Sequence, residues 1–155
     1  VSGKKIKYHF ANCGTFDERY TDKINDMLNI ENILNTNIDI NNIYAQEIPL
    51  FSNYLKLAGR VDCVAEWGGK LSIIDFKTSR KVKKKEWISG YFQQGAAYAV
   101  MFEERTGIAI DKIVIAMTVD GESDASVFVE KRDNWVSTLQ ETIELYKDRY
   151  GIPRS

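Results

Sequence analysis

Two aspartates, Asp62 and Asp75, stand in the middle of stretches that otherwise read as buried β-strand, within AGRVDCVAEWGGKLSIIDFKTS at 58–79. WGGK sets a Gly-Gly pair between two strand patterns, and both central positions of a two-residue hairpin turn take the positive φ that glycine supplies. With Gly68 and Gly69 as the turn, Trp67 faces Lys70, and counting back along the strands places Asp62 opposite Asp75. Opposed side chains share one face with Cβ atoms about 4.5–5.5 Å apart, where like charges destabilise a sheet. The same register sets Lys77 opposite Arg60 on that face and gives Val61, Cys63, Ile74 and Phe76 to the other face as core. Neighbouring cations relieve part of the repulsion, and a bound divalent cation relieves more. An oxygen-rich pair of this kind suits Mg2+ or Mn2+, which take one or two carboxylates and complete their shells with water and substrate phosphate. The plain alternative is a hairpin face carrying solvated charges.

The elements that must position these side chains alternate between the two periods. CGTFDERYTDKINDMLN at 13–29 carries Phe16, Tyr20, Ile24, Met27 and Leu28 at helical spacing, with Thr15 as N-cap. An Asn-rich connection gives way to a strand at 43–51, and strands follow at 54–67 and 70–78. A basic loop leads into a helix over 86–105; strands at 111–119 and 125–130 flank DGESD, and an amphipathic helix closes the chain. Trp135, Leu139, Ile143 and Tyr146 form the expected buried stripe of that last helix. The expectation is an α/β fold, a central mixed β-sheet flanked by helices.

Length and composition limit the reading further. With 155 residues, 44% hydrophobic and 12% aromatic, one full core can be buried, so residues 1–155 are expected to form a single domain. A net charge of -1 argues against coating nucleic acid through bulk charge, so local charge has to carry any such contact. No apolar run is long enough to span a bilayer and no signal-peptide pattern opens the chain. We therefore expect an intracellular protein, cytoplasmic or mitochondrial, without membrane contact; the opening Val1 in place of Met makes a fragment lacking N-terminal residues one expectation. Cys13 and Cys63 are too few for a disulfide framework and are expected as reduced thiols.

GRVDCVAEWGGKLSIIDFKTS also resembles the core of the PD-(D/E)XK nuclease superfamily in its RecB-type branch, and is most similar to the mitochondrial genome maintenance exonuclease group and its phage relatives. Three elements occur in order: Gly-x-x-Asp at Gly59 to Asp62, Asp-x-Lys at Asp75 to Lys77, and Gln-x-x-x-Tyr at Gln94 to Tyr98. The resemblance implies a restriction-endonuclease-like core and a metal-dependent DNA exonuclease that prefers single-stranded DNA with a free end. It implies Asp62, Asp75 and the Phe76 carbonyl as metal ligands and Lys77 as the group that orients water and meets the developing charge; the bland reading of Lys77 is a surface lysine. Glu47 resembles an upstream acidic residue of the family, or is an edge-strand charge beside Pro49.

Gln94 and Tyr98, four apart, share one helix face. With Tyr91 they are expected to contact substrate; the alternative packs Tyr98 in the core with Gln94 over a polar gap. The family histidine expected shortly after a Gly-Thr pair is missing, since Gly14-Thr15 is followed by Phe16, Asp17 and Glu18. Asp17 or Glu18 replaces it, His9 reaches the site, or one ligand is absent. The run of Arg80, Lys81, Lys83, Lys84 and Lys85 reads as a phosphate-tracking loop or simply a solvated one. Trp87, Tyr91 and Phe92 behind it are expected to stack on bases, or to anchor the helix. The second functional class is a catalytically silent nucleic-acid-binding module of the same fold. A structural or interaction domain would leave the opposed aspartates without a purpose.

Overall fold

A computed structural model describes residues 40–153. Strands β1 (Ile40–Ser52), β2 (Leu57–Trp67), β3 (Lys70–Ser79), β4 (Lys112–Val119) and β5 (Ser126–Lys131) form one sheet in the order β1-β2-β3-β4-β5. The pairs β1–β2, β2–β3 and β4–β5 are antiparallel and β3–β4 is parallel, which makes the sheet mixed as expected. Helix α1 (Ser89–Thr106) makes the crossover that a parallel pair requires, and α2 (Val136–Tyr150) closes the chain. The helix expected at 13–29, and with it His9, Cys13, Asp17 and Glu18, lies outside the described residues. Among those residues no helix is long and apolar enough to cross a membrane.

The turn behaves as its composition dictates. Gly68 and Gly69 adopt φ of 59° and 77°, and Trp67 pairs with Lys70. Alternation along the strands divides the sheet's apolar side chains into two clusters. Val64, Ile73, Ile113, Ile115 and Met117 pack with Phe92, Ala96, Ala99 and Met101 of α1. Cys63, Ala65, Trp67, Ile74, Val114 and Ala116 form the second cluster, with Phe76 at its margin. Val61 belongs to the first cluster rather than to the second, against the sequence expectation.

Helix α1 lies close to the sheet because Gly95 lets it. A Cβ at that position would stand 2.4 Å from Ile113 Cγ2. Gly95→Ala is expected to cost about 1–3 kcal/mol through overpacking, against the small gain in helix propensity that Ala brings elsewhere. Urea unfolding would read this as a lower midpoint at unchanged slope; an unchanged or raised midpoint would show that the contact yields freely.

The α2 stripe is only partly as expected. Leu139 is buried and Trp135 stacks on Phe92 at 5.0 Å between ring centroids, but Tyr146 is 57% exposed and pairs instead with Tyr150 along the helix surface.

Candidate active site

The β2–β3 ladder runs from Trp67–Lys70 to Cys63–Ile74 and stops there. One step further the register would reach Asp62 and Asp75, and at that point the strands part. Residues 57–61 of β2 continue beside β1, while Asp75 to Ser79 of β3 continue beside β4. Sheet twist favours such divergence, and two carboxylates at the fork would oppose closing it. The backbone group released by the split is claimed by a side chain: Phe76 N–H donates to Asp62 Oδ2 at 2.9 Å. In extended backbone the N–H and C=O of one residue face the same edge, so the Phe76 carbonyl is turned toward the same gap.

Parting the strands removes the expected Arg60–Lys77 pair. Arg60 lies opposite Pro49 of β1 and forms an ion pair with Glu47 at 3.8 Å. Glu47 itself occupies the β1 position facing Asp62, between the paired residues Gln46–Cys63 and Ile48–Val61. Its φ of 51° is unusual for a residue with a Cβ and interrupts the strand there. Glu47, Asp62 and Asp75 thus follow one another across three adjacent strands. Among the described residues no group of three His, Cys, Asp or Glu side chains is close enough to hold a metal ion by itself.

Electrostatics mark the fork as uncomfortable without a cation. Burial, then the charge of Asp75 and a hydrogen bond shared with it, push the Asp62 carboxyl up to about 8 despite the Phe76 N–H. Burial also raises Glu47, with Arg60 acting against the shift and Asp75 adding to it. Asp75 is buried, and its Oδ2 makes no hydrogen bond, although Lys77 Nζ approaches it at 2.8 Å as an off-angle ion pair. A buried carboxylate oxygen with spare lone pairs beside a second, strained carboxyl fits a hard divalent cation. Asp62, Asp75 and the Phe76 carbonyl would supply its protein oxygens.

Lys77 is the best-held side chain of the site. Besides the Asp75 contact, its Nζ donates to Gln94 Oε1 at 3.0 Å and sits 4.8 Å from the centre of the Tyr91 ring. Burial pulls its pKa down, but the charges of Asp75 and Asp62 outweigh that and the net direction is up. Lys77 is therefore an ammonium at neutral pH, suited to meeting negative charge and unsuited to acting as a base.

Gln94 passes the chain on, its Nε2 donating to Tyr98 Oη at 3.0 Å. Tyr98 is buried, so the core placement is the one observed, and the same burial raises its hydroxyl pKa. The reason for Gly59 follows from the same ring. A Cβ there would lie 2.9 Å from Tyr98 Cε1, so Gly-x-x-Asp and Gln-x-x-x-Tyr are two sides of one close contact.

The basic loop divides. Arg80, Lys81, Lys84 and Lys85 are exposed, and Lys84 leans over the Trp87 ring at 5.7 Å. Trp87 is 67% exposed. Lys85 is drawn to Glu130 of β5, a partner distant in sequence that local reading of the run could not supply. Lys83 turns inward and donates to Tyr91 Oη at 3.3 Å. Phe92 is fully buried between Trp135 and Phe128, which removes it from the base-stacking set.

Residues 10–148 match a family model described as the PD-(D/E)XK nuclease superfamily. The human protein mitochondrial genome maintenance exonuclease 1 is 28% identical over 132 residues, which cover 77% of this chain and 38% of that protein. The mouse protein of the same name is 44% identical over 54 residues, 35% of this chain and 16% of its own length. The chain thus spans well under half of these curated relatives. Among solved structures, a Eubacterium rectale protein assigned as an exonuclease superposes with a TM-score of 0.51 at 13% identity, covering 99% of this chain and 68% of that one. At that identity the likeness bears on the fold.

Proposed function

The chain belongs to the PD-(D/E)XK nuclease superfamily and has its restriction-endonuclease-like α/β fold, and from that premise we propose that it is a metal-dependent DNA exonuclease preferring single-stranded DNA with a free end. The observation that supports this most is the fork between β2 and β3, where Asp62, Asp75 and Lys77 meet around a buried carboxylate oxygen without a hydrogen bond. Superfamily members generally use divalent metal ions, and Mg2+ or Mn2+ suits the all-oxygen donor set here. When bound, such an ion polarises the scissile phosphate and makes a water more acidic.

The remaining work falls to side chains. Asp62 and Asp75 would hold the cation, with the Phe76 carbonyl beside them. Lys77 directs its ammonium at the oxygens on which charge develops. Glu47, restrained by Arg60, borders the same gap and is assigned to the water shell. Gln94 and Tyr98 act behind Lys77 by fixing its position. Arg80, Lys81, Lys83 and Lys84 attract the phosphate backbone without regard to sequence, and Trp87 stacks on an unpaired base. Lys85, paired with Glu130, contributes least to that attraction.

Base–aromatic stacking is worth about 1–3 kcal/mol per base for an unpaired strand, whereas duplex bases already stack on one another. A linear oligonucleotide is therefore expected to disappear faster than its blunt duplex, and a circular single strand to persist, under one metal and salt condition. Equal rates on strand and duplex would remove the strand preference, and rapid cutting of the circle would make the activity endonucleolytic. Binding without cleavage in Mg2+ and in Mn2+ would establish the silent binding module instead. Trp87→Ala is expected to weaken single-strand binding selectively.

A further inference from the structure

One aromatic ring stands between the basic loop and the lysine at the fork. Tyr91, in the first turn of α1, has Lys77 Nζ 4.8 Å from its ring centre and Lys83 Nζ 5.5 Å from the same centre. Lys83 also donates to the Tyr91 hydroxyl at 3.3 Å. In the run from Arg80 to Lys85, Lys83 is the one cation that is half-buried, the others being exposed. Two ammonium groups gathered on one ring repel each other, so the arrangement requires an attraction that holds both. The ring face supplies it to Lys77, and the hydroxyl accepts a charge-assisted hydrogen bond from Lys83.

We infer that Tyr91 is a positioning residue that docks Lys83 of the basic loop beside Lys77, so that one strand of nucleic acid meets a preformed pair of ammonium groups. The inference rests on the nuclease reading above and deepens it: the loop is not a diffuse positive tract, because one of its lysines has a fixed post at the site. A flexible lysine loses rotamer freedom when it grips a phosphate, and a post that holds it beforehand reduces that loss on binding. Tyr91 acts through the two lysines, which distinguishes it from Trp87, whose exposed ring is offered to a base.

The ring and the hydroxyl can be separated by substitution. Tyr91→Leu removes both and is expected to lower kcat about 10-fold, as for loss of a partly desolvated cation–π contact, and to raise KM as well. Tyr91→Phe keeps the ring, so it should return kcat to within about threefold of wild type while KM stays raised about fivefold, the worth of one typical hydrogen bond, as suits a contact of 3.3 Å. Lys83→Ala should raise KM at least as much as Tyr91→Phe, and the double variant should raise it no further than Lys83→Ala alone. Lys84→Ala, which does not touch the ring, should add to Tyr91→Phe in full. In 13C-lysine spectra, ring-current shifts of the Lys77 and Lys83 ε-methylene protons should vanish in Tyr91→Leu and persist in Tyr91→Phe. Wild-type kcat and KM in Tyr91→Leu, or full additivity of Tyr91→Phe with Lys83→Ala, would overturn the inference while leaving the nuclease reading intact. A wild-type protein that cleaves nothing in either metal would overturn that reading and the inference with it.

Discussion

Asp62→Asn and Asp75→Asn are both expected to abolish cleavage, but to part company in their effect on the metal-free fold. Asparagine keeps an oxygen to accept the Phe76 N–H, so Asp62→Asn loses no backbone contact while relieving a crowded, buried pair. Its stability without metal should hold or rise. Asp75→Asn also relieves the pair, yet it takes from Lys77 the carboxylate 2.8 Å away, leaving an ammonium that is only 22% exposed without its counter-charge. That variant should gain less, or lose. Thermal unfolding with a chelator and cleavage with Mg2+ read the two effects separately. Strong destabilisation of both variants with cleavage retained would make the aspartates structural.

Proton linkage sharpens the same test. The folded-state pKa of Asp62 is raised from 3.8 to about 8, by burial first and the Asp75 charge next. A carboxyl raised on folding contributes stability that is fully present below the unfolded value and lost as pH climbs through the folded one. Metal-free wild type should therefore lose stability from about pH 4 to about pH 8, at no more than roughly 1.4 kcal/mol per unit from this group. Asp62→Asn should flatten that slope. Divalent metal should stabilise most at the alkaline end, because it binds the deprotonated pair and the folded state alone offers the site. A wild-type slope unchanged by the substitution would mean that the strain is carried elsewhere.

Much of the site was readable because local chemistry decides it. Gly68 and Gly69 select the turn, the turn sets the register as far as Cys63–Ile74, and Asp62 and Asp75 come next, close enough to interact although their strands have parted. Where the ladder ends is different, since it depends on β1 and β4 drawing β2 and β3 apart, and neither neighbour is encoded within the hairpin. The Arg60–Lys77 pairing failed for that reason. Phe92 and Trp87 are both aromatic and five positions apart, but Phe92 lies on the face that α1 packs against Trp135 and Phe128, while Trp87 sits in a short turn ahead of the helix and stays exposed. Tyr146 falls on the apolar stripe by period alone, yet Leu139 is the residue of α2 that is fully buried and Tyr146 stays exposed beside Tyr150. The spacing of Gln94 and Tyr98 gave their common face correctly, while their target, Lys77, needed the fold.

Lys77→Ala is expected to lower turnover at least about 100-fold, the usual consequence of losing one donor aimed at transition-state charge. Its ammonium is held at the fork by Asp75, Gln94 and the Tyr91 ring, and because it is also the counter-charge of the buried Asp75, thermal unfolding is followed beside turnover. Its raised pKa excludes a base role at neutral pH, so the rate should not acquire a new alkaline limb from this group. Mn2+ affinity, followed by titration, should be unchanged or modestly tighter, because the substitution removes a positive charge from beside the cation. Lys77→Arg keeps the charge but presents a planar fork where a compact ammonium sits among three partners, and it should restore little of the rate. Gln94→Leu, which loosens the ammonium without removing it, should fall between wild type and Lys77→Ala in kcat. Equal activity in wild type and Lys77→Ala would remove the lysine from the mechanism. A pure rise in KM at constant kcat would demote it to a phosphate contact no different in kind from Lys84.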